Sequence, residues 1–359
     1  MKPQHFLIAI PMAVTVEGFS SSSNTAFLPS NGLRTASATF STHATVHMDA
    51  ESSLDTRAVK SIERKLAEAN LSLNRHATLT TPAPTLSVEE MEVTNGMPWS
   101  DTIGESDHPD PLLYMPFWEW QLEHMKSSLT NLQTDESSLA DFGYMDNNSK
   151  KARIVNQCYT SDEYRKIRMT YYDAGDNTQV FNSVWYPDPK YNLPVLGIDL
   201  LAFNRKKYLA IVDFQPLYQD EEDHALTYEH RLKPIKDQYE SLKGQMSSKF
   251  YDETQFFSKQ MLFARFEDEE VVADDLFPAF QRYVKLHNKL IKEVEPNTDD
   301  MEAVLERQAA YDTYSAERDP ATGLFAAMFG KEWADDFVFD FLFSLSERKE
   351  GGLQIPPMF

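Results

Sequence analysis

Asp199 lies inside the apolar run Val195–Phe203, where a charged side chain is costly to bury. Burial raises the pKa of a carboxyl group, so an aspartate in such a place stays protonated near neutral pH and can donate a proton. The structural alternative is an aspartate that is paired or that caps an element. On its own, the pattern makes Asp199 a candidate general acid.

Two more aspartates stand at the ends of predicted elements. Asp319 precedes Pro320, and helices tend to end before a proline. It is therefore either a plain helix-end residue or a residue that acts on or orients a substrate. Asp213 precedes Phe214 in a second apolar run, and it is either functional or shapes the end of its strand.

The sequence lacks the motifs of a bound cofactor. It has no Walker loop, no G-x-G-x-x-G dinucleotide motif and no G-x-S-x-G elbow. Its single cysteine, Cys158, excludes an internal disulfide and a cysteine-held iron–sulfur cluster. His224 and His230 are six residues apart, so they do not share a helix face, and no metal site is expected. An enzyme without a bound cofactor must either receive electrons from an external donor or perform acid–base chemistry.

The charge of the chain excludes one class of partner. A net charge of −22 argues against nucleic acid, since phosphate binding needs a basic surface.

The elements that must position the aspartates are antiparallel strands followed by helices. Because the connections between the strands are short and turn-like, neighbouring strands must be antiparallel. The predicted strands are Lys166–Tyr172, Gln179–Trp185, Pro194–Phe203, Lys207–Phe214 and Gln260–Phe266. The predicted helices are Leu112–Leu132, His224–Leu242, Asp274–Glu293, Asp299–Arg318 and Lys331–Leu345. This order predicts an α+β fold, a central antiparallel β-sheet flanked by α-helices on both sides in an α/β/α sandwich.

The chain divides into four parts. Residues 1–48 combine a short apolar run with a stretch rich in Ser, Thr and Ala, which is typical of a bipartite signal and transit presequence. Residues 49–110 are predicted to form a helical segment and a linker rich in Pro, Thr and acidic residues. Residues 111–347 form the predicted catalytic domain, and residues 348–359 are a C-terminal tail.

Four ordered segments carry a resemblance to a known family. They are Asp173–Val184, Leu193–Leu201, Leu209–Leu217 and Tyr314–Phe325. The chain resembles the ferredoxin-dependent bilin reductases over about Leu112 to Leu345. The sequences of the four segments are most similar to the branch that forms dihydrobiliverdin.

The resemblance implies a role for particular residues. Asp199 matches the essential proton donor of the family, and Asp319 matches a second acid from the helical side. Asn182 stands where the phycocyanobilin-forming branch has histidine, which fits a two-electron enzyme. Arg265 resembles an arginine that holds a substrate propionate. Apart from the resemblance, Phe214 and Arg318 complete the expected substrate-binding residues, although an aromatic residue on a strand, such as Phe214, more often belongs to the core.

The implied reaction is the two-electron reduction of biliverdin IXα at its 15,16 double bond to 15,16-dihydrobiliverdin, a step in phycoerythrobilin biosynthesis. No cofactor is bound, and reduced ferredoxin is the external electron donor. One alternative is a sister reductase that makes phycoerythrobilin, from dihydrobiliverdin or in four electrons. Another is a non-catalytic bilin carrier.

The presequence predicts the compartment in which the protein works, and the resemblance implies its partners there. The mature protein would lie in the plastid stroma, away from a membrane, with the next bilin reductase as a candidate partner. Ferredoxin is acidic, so its docking face should be basic. The candidate runs are Lys150–Arg153, Arg165–Arg168 and Arg205–Lys207.

Overall fold

The computed structural model describes residues 112–147, 149–218, 226–244, 256–319 and 321–348. The predicted presequence 1–48, the helix and linker 49–110 and all but the first residue of the tail 348–359 lie outside the described residues. None of the described helices is long and apolar enough to cross a membrane.

Within the described residues, eight strands form one antiparallel sheet. The strands are β1 (Gln133–Thr134), β2 (Tyr144–Asn147), β3 (Ala152–Thr160), β4 (Tyr164–Asp173), β5 (Thr178–Pro187), β6 (Val195–Phe203), β7 (Lys207–Gln215) and β8 (Leu262–Phe266). From β3 to β8, strands that follow one another in the chain are also neighbours in the sheet, and both β1 and β2 pair with β3. The expectation of short antiparallel connections is confirmed.

One helix precedes the sheet, a short one lies between β1 and β2, and the others follow β7. They are α1 (Met115–Ser128), α2 (Glu136–Leu139), α3 (Glu229–Lys236), α4 (Phe277–Glu293), α5 (Met301–Arg318), α6 (Ala321–Phe329) and α7 (Lys331–Asp336). Two short π-helical segments, Val272–Leu276 and Phe337–Leu342, lead into α4 and out of α7. Glu240–Leu242 forms a 3₁₀ turn.

One face of the sheet, which we call the α4 face, packs against α1 and α4. It presents Leu196, Ile198 and Leu200 of β6, since alternate residues of a strand point to the same side. Phe117 of α1 and Phe280 of α4 meet there, with ring centroids 5.1 Å apart. This face holds the larger apolar core.

The opposite face, which we call the α5 face, presents the residues between those positions. At one end Val184 and Val195 pack against Val304 and Tyr311 of α5. Over β3 and β4, Tyr172 packs against Phe325 of α6 and other aromatic side chains of the C-terminal helices. Helices therefore lie on both sides of the sheet, and the predicted α+β sandwich is confirmed.

The predicted elements differ from the observed ones mainly at the start of the domain. β1, β2 and β3 were not predicted as strands, and neither were α2 and α6 as helices. In β3 the polar residues Asn156 and Gln157 are buried, so the strand shows no alternation of apolar and polar residues. The predicted helix His224–Leu242 is shorter in the structure, where α3 spans Glu229–Lys236.

Candidate active site

Asp199 lies in the middle of β6 on the α5 face. Its neighbours in register are Asn182 on β5 and Ile211 on β7, and residues paired in this way share a face. Asp199 is only partly buried, whereas Ile198 and Leu200 on either side of it are fully buried in the core of the α4 face. The alternation of the strand therefore turns this one carboxyl group away from the main core.

Asn182 links Asp199 to a buried arginine. Nδ2 of Asn182 donates a hydrogen bond to Oδ1 of Asp199 at 3.1 Å, and Nη1 of Arg168 donates to Oδ1 of Asn182 at 2.6 Å. Arg168 comes from β4 and is 2% exposed. The three side chains form one chain of hydrogen bonds across β4, β5 and β6.

The pKa of Asp199 is raised to about 7. Desolvation by burial is the main cause, and the nearby charge of Asp319 raises the pKa further. The hydrogen bond from Asn182 and the charge of Arg168 act in the opposite direction. Asp199 thus exchanges its proton near neutral pH, which suits a general acid.

Asp319 caps the C-terminal end of α5, as the proline after it predicts. Its Oδ1 accepts a hydrogen bond from the backbone N–H of Ala321 at 2.8 Å, and this contact joins α5 to α6. Burial raises the pKa of Asp319, and both that hydrogen bond and the charge of Arg168 lower it. Since Asp319 is close enough to raise the pKa of Asp199, the structure brings the two predicted acids together.

An apolar floor lies beside Asp199 on the same face. Its members come from β6, β7 and β8 and from the residue just before β8. The floor consists of Leu201, Leu209, Ile211, Met261 and Phe263, with Val180, Phe203 and Phe257 partly buried against it. The five residues of the floor are buried, and an apolar lining with a few polar groups at its border is the usual composition of a small-molecule site.

Arg265 stands at the border of this floor. It pairs in register with Leu209, so it lies on the α5 face two strands away from Asp199. Its side chain is exposed and its guanidinium group lies 5.4 Å from the ring centre of Phe263. A cation at this position can meet an acidic group at the end of a ligand that lies on the floor.

A model of the ferredoxin-dependent bilin reductase family matches residues 122–344. The chain belongs to this family. The match spans more than half of the chain and includes every residue of the site described above. The family description makes ferredoxin the electron donor, so this bilin reductase is a ferredoxin-dependent oxidoreductase.

Curated relatives of this bilin reductase carry a more specific name. The 15,16-dihydrobiliverdin:ferredoxin oxidoreductase of Gloeobacter violaceus is 41% identical over 233 residues, which cover 64% of this chain and 95% of the relative. The protein of the same name from Nostoc punctiforme is 45% identical over 205 residues, 56% of this chain and 83% of the relative.

A solved structure shows the same fold. Phytochromobilin synthase from tomato, solved in complex with biliverdin, superimposes with a TM-score of 0.59 and 21% sequence identity. The superposition covers 65% of this chain and 83% of the tomato chain.

Phe214, one of the expected substrate-binding residues, lies on the face of the sheet opposite Asp199. It is paired with Leu196, so it points to the α4 face, where it is fully buried against Tyr228, Tyr283 and His287. The sheet separates its ring from Asp199. Phe214 is therefore a core residue, and the proposed site does not include it.

Arg318 stays with its own helix. Its Nη1 donates to the backbone oxygen of Tyr314 at 3.3 Å and lies 3.2 Å from Oε2 of Glu317. Its guanidinium group stacks 4.2 Å from the ring centre of Tyr314. The side chain is partly buried, next to Asp319 in the chain.

Asp213 is a buried carboxyl group with its own partner. Both of its oxygens accept hydrogen bonds from Ser258: Oδ1 from the hydroxyl group at 2.5 Å and Oδ2 from the backbone N–H at 2.8 Å. The pKa of Asp213 is raised to about 7, because the effect of burial is larger than the opposite effect of these hydrogen bonds. The interpretation that Asp213 shapes its strand end fits this geometry, because it fixes the segment that enters β8.

Gln215 and Gly197 shape the site on the other side of Asp199. Tyr311 of α5 donates a hydrogen bond to Oε1 of Gln215 at 2.5 Å. The amide of Gln215 lies against Gly197, where a Cβ atom would collide with it. Sequence reasoning missed this contact, although a glycine inside a strand is a known signal of close approach.

The basic runs expected to dock ferredoxin are largely internal. Lys166 and Arg168 are 5% and 2% exposed, because both point to the α5 face and reach the C-terminal segment. Arg205 is 6% exposed and pairs with Glu269. The expectation that these three cations form a docking face is wrong.

The exposed lysines of these runs lie at one end of the strands of the sheet. Lys150 and Lys151 occupy the β2–β3 turn, and Lys206 and Lys207 the β6–β7 turn. The register of β3 to β7 brings both turns to the same end of the strands.

No group of three His, Cys, Asp or Glu side chains among residues 112–348, apart from the undescribed stretches, is arranged to hold a metal ion. His224, one of the two histidines considered for such a site, lies outside the described part of the chain.

Proposed function

We propose that this bilin reductase converts biliverdin IXα to 15,16-dihydrobiliverdin. Two reduced ferredoxins supply one electron each, two protons are taken up, and the double bond between C15 and C16 becomes a single bond. The observation that carries the proposal is the partly buried Asp199, hydrogen-bonded to Asn182 and set beside an apolar floor. The printed names of the relatives support the choice of the 15,16 bond.

The pigment would lie on the apolar floor, under the C-terminal helices. A conjugated tetrapyrrole is flat and largely apolar, so it fits a floor of aliphatic and aromatic side chains. Its propionates would extend toward Arg265 at the border, where a guanidinium group can hold a carboxylate with two hydrogen bonds. This placement sets the conjugated rings next to Asp199.

Protons would come from two sides. After each single-electron transfer the reduced pigment becomes more basic, and a radical intermediate takes up a proton from the acid beside it. Asp199, with a pKa of about 7, supplies the first proton. Asp319, whose pKa is also raised, supplies the second proton or positions the pigment.

The test is an anaerobic assay of the protein with biliverdin IXα and a system that keeps ferredoxin reduced. We expect the biliverdin absorption band to disappear and chromatography to identify 15,16-dihydrobiliverdin. A reaction without ferredoxin is the control. A phycoerythrobilin product would favour the sister reductase, and a stable bound biliverdin spectrum would favour the carrier.

The cellular compartment of the protein is a separate part of the proposal. The apolar run Phe6–Val14 and the stretch 19–48, rich in Ser and Thr, support import into a plastid. A fluorescent protein fused behind residues 1–48 should reach the plastid of an alga whose plastid descends from a red alga. Accumulation in the cytosol would contradict this part of the proposal.

A further inference from the structure

Arg168 is a buried cation without a carboxylate partner in direct contact. Its Nε donates to the backbone oxygen of Leu342 at 2.9 Å, and its guanidinium group lies 5.3 Å from the ring centre of Phe343. In the described part of the chain it forms no ion pair within salt-bridge distance. Burying a charge without a paired carboxylate costs free energy, so packing alone does not explain the position of Arg168.

The hydrogen bond from Arg168 fixes the orientation of the Asn182 amide. A guanidinium group can only donate, so the atom of Asn182 that faces Nη1 must be the amide oxygen. The amide nitrogen must then face Asp199. The orientation of this side chain therefore follows from its partner and not from the amide alone.

The same reasoning assigns the two oxygens of Asp199. The Asn182 amide nitrogen can only donate, so Oδ1 of Asp199 must accept, whether or not the carboxyl group is protonated. When Asp199 carries a proton, that proton sits on Oδ2. No described residue donates to Oδ2, and the side chain is only partly buried, so this oxygen is available to a ligand.

We infer that Arg168 is a positioning residue that acts through Asn182 to keep the transferable proton on Oδ2 of Asp199. The inference rests on the proposed role of Asp199 as proton donor. Without Arg168 the amide is free to turn over and present its oxygen to Asp199. An amide oxygen there would attract the proton to Oδ1 and away from the pigment.

A double-mutant cycle tests the inference. Arg168→Met and Asn182→Ala are made singly and together, and single-turnover rates are measured over a range of pH. We expect Arg168→Met to slow turnover about 10- to 100-fold, with little change in KM for biliverdin, since a misplaced group costs rate and not ground-state binding. In the Asn182→Ala background the same change should slow turnover little further, and only the direct effect of the Arg168 charge on the pH profile should remain.

The groups that set the pH profile are Asp199, Asp319 and Arg168. Because Arg168 and the Asn182 donor both lower the pKa of Asp199, we expect the alkaline limb of the profile to move upward in Arg168→Met. Arg168→Lys keeps the charge and a donor, and it should recover part of the rate. This variant also replaces Arg168→Met in the cycle if the methionine variant does not fold.

Lys166→Met is the matched control. Lys166 is a buried cation on the same strand and face, and it anchors the same C-terminal segment through the backbone oxygen of Phe341 at 2.6 Å, with no contact to Asn182. Its loss should leave the pH profile unchanged. The inference is wrong if Lys166→Met shifts the profile equally, or if Arg168→Met slows turnover as much without the Asn182 amide as with it.

Two other results would contradict the proposed reduction of biliverdin itself and not the role of Arg168. An unmodified protein that does not reduce biliverdin, or an Asp199→Asn variant that turns over normally, contradicts the proposed function whatever the cycle shows.

Discussion

The carboxyl group of Asp319, at the end of α5, raises the pKa of Asp199 on β6. The two acids belong to different layers of the fold and are 120 positions apart in the chain, so only the packing of the helices onto the sheet brings them together. Their proximity places one carboxyl group on the sheet and one at the end of a helix that covers it.

Asp199→Asn should bind biliverdin and stop before the product. The amide has nearly the same size and keeps a hydrogen bond with Asn182, but it cannot give up a proton. We expect turnover to fall about 100-fold or more, as is usual when a general acid is lost. Absorption spectra of the bound pigment and single-turnover rates measure both effects. Asp299→Asn, an exposed acid near the start of α5, is the control and should behave as the unmodified protein.

Turnover should fall as the pH rises through about 7. Asp199 donates only when it is protonated, and its pKa of about 7 places the change there. The free energy of unfolding changes with pH in the same direction as turnover. Between the ordinary pKa of aspartate and about 7, the folded protein holds a proton that the unfolded chain has lost. The free energy of unfolding should therefore decrease over this range. Denaturation at several pH values should show a shallower decrease in Asp199→Asn, and an identical slope would contradict the raised pKa.

Arg265→Ala should weaken pigment binding more than it slows the reaction. The side chain lies at the border of the floor, away from Asp199, so it contributes equally to the ground state and the transition state. We expect KM for biliverdin to rise about tenfold with kcat little changed, and Arg265→Lys to recover only part of the affinity. Lys289→Ala, on the exposed side of α4, is the control. A fall in kcat alone would place Arg265 nearer to the reacting atoms.

Lys166→Met should destabilise the protein without affecting ferredoxin. The ammonium group of Lys166 donates to the backbone oxygen of Phe341 and to Oγ of Ser344, at 2.6 and 2.9 Å. Its removal leaves buried acceptors without a donor, which costs about 1–3 kcal/mol in the free energy of unfolding. Denaturation curves measure this loss. An increased KM for ferredoxin with unchanged stability would return Lys166 to the docking surface.

The exposed lysines of the β6–β7 turn should contribute to ferredoxin docking. We expect the charge-reversed variant Lys206→Glu/Lys207→Glu to raise KM for ferredoxin about three- to tenfold, because steering by charge acts mainly on association. Turnover of the unmodified protein should fall with added salt, and that of the variant should fall less. The double variant Lys289→Glu/Lys292→Glu carries the same charge change on α4 and should keep the original salt dependence. A flat salt profile in the unmodified protein contradicts a docking face built on charge.

The sequence predicted the central strands because their apolar runs end at clear turns. At Gly175, between β4 and β5, the backbone has φ of 65°, and its N–H binds Oδ1 of Asp173, as the Asp-rich turn requires. Asp199 was also predictable, since a lone acid in an apolar strand signals either function or pairing.

The interior cations could not be predicted from the same pattern. From Lys166 to Met169, charged and apolar residues alternate, which normally indicates a strand with one face in water. In the structure the charged face is covered by the C-terminal segment, whose backbone oxygens at Phe341 and Leu342 accept the hydrogen bonds. Those oxygens are invisible in a sequence, so the partner that buries Lys166 and Arg168 cannot be recognised there. The face on which Phe214 lies could not be predicted for a related reason, because the register of the strand, and not the residue type, decides it.

The placement of Asp199 on the sheet has a consequence for the handedness of the product. In the proposed pose the carboxyl group of Asp199 reaches the pigment from the side of the sheet, while Asp319 belongs to the helical layer on the other side. Reduction of the 15,16 bond turns a planar carbon, C16, into a tetrahedral one with four different substituents. When the sheet alone delivers the proton to that carbon, the hydrogen adds to a single side of the ring, and one enantiomer forms. The chirality of the pigment is then set by which side of a β-strand carries the acid.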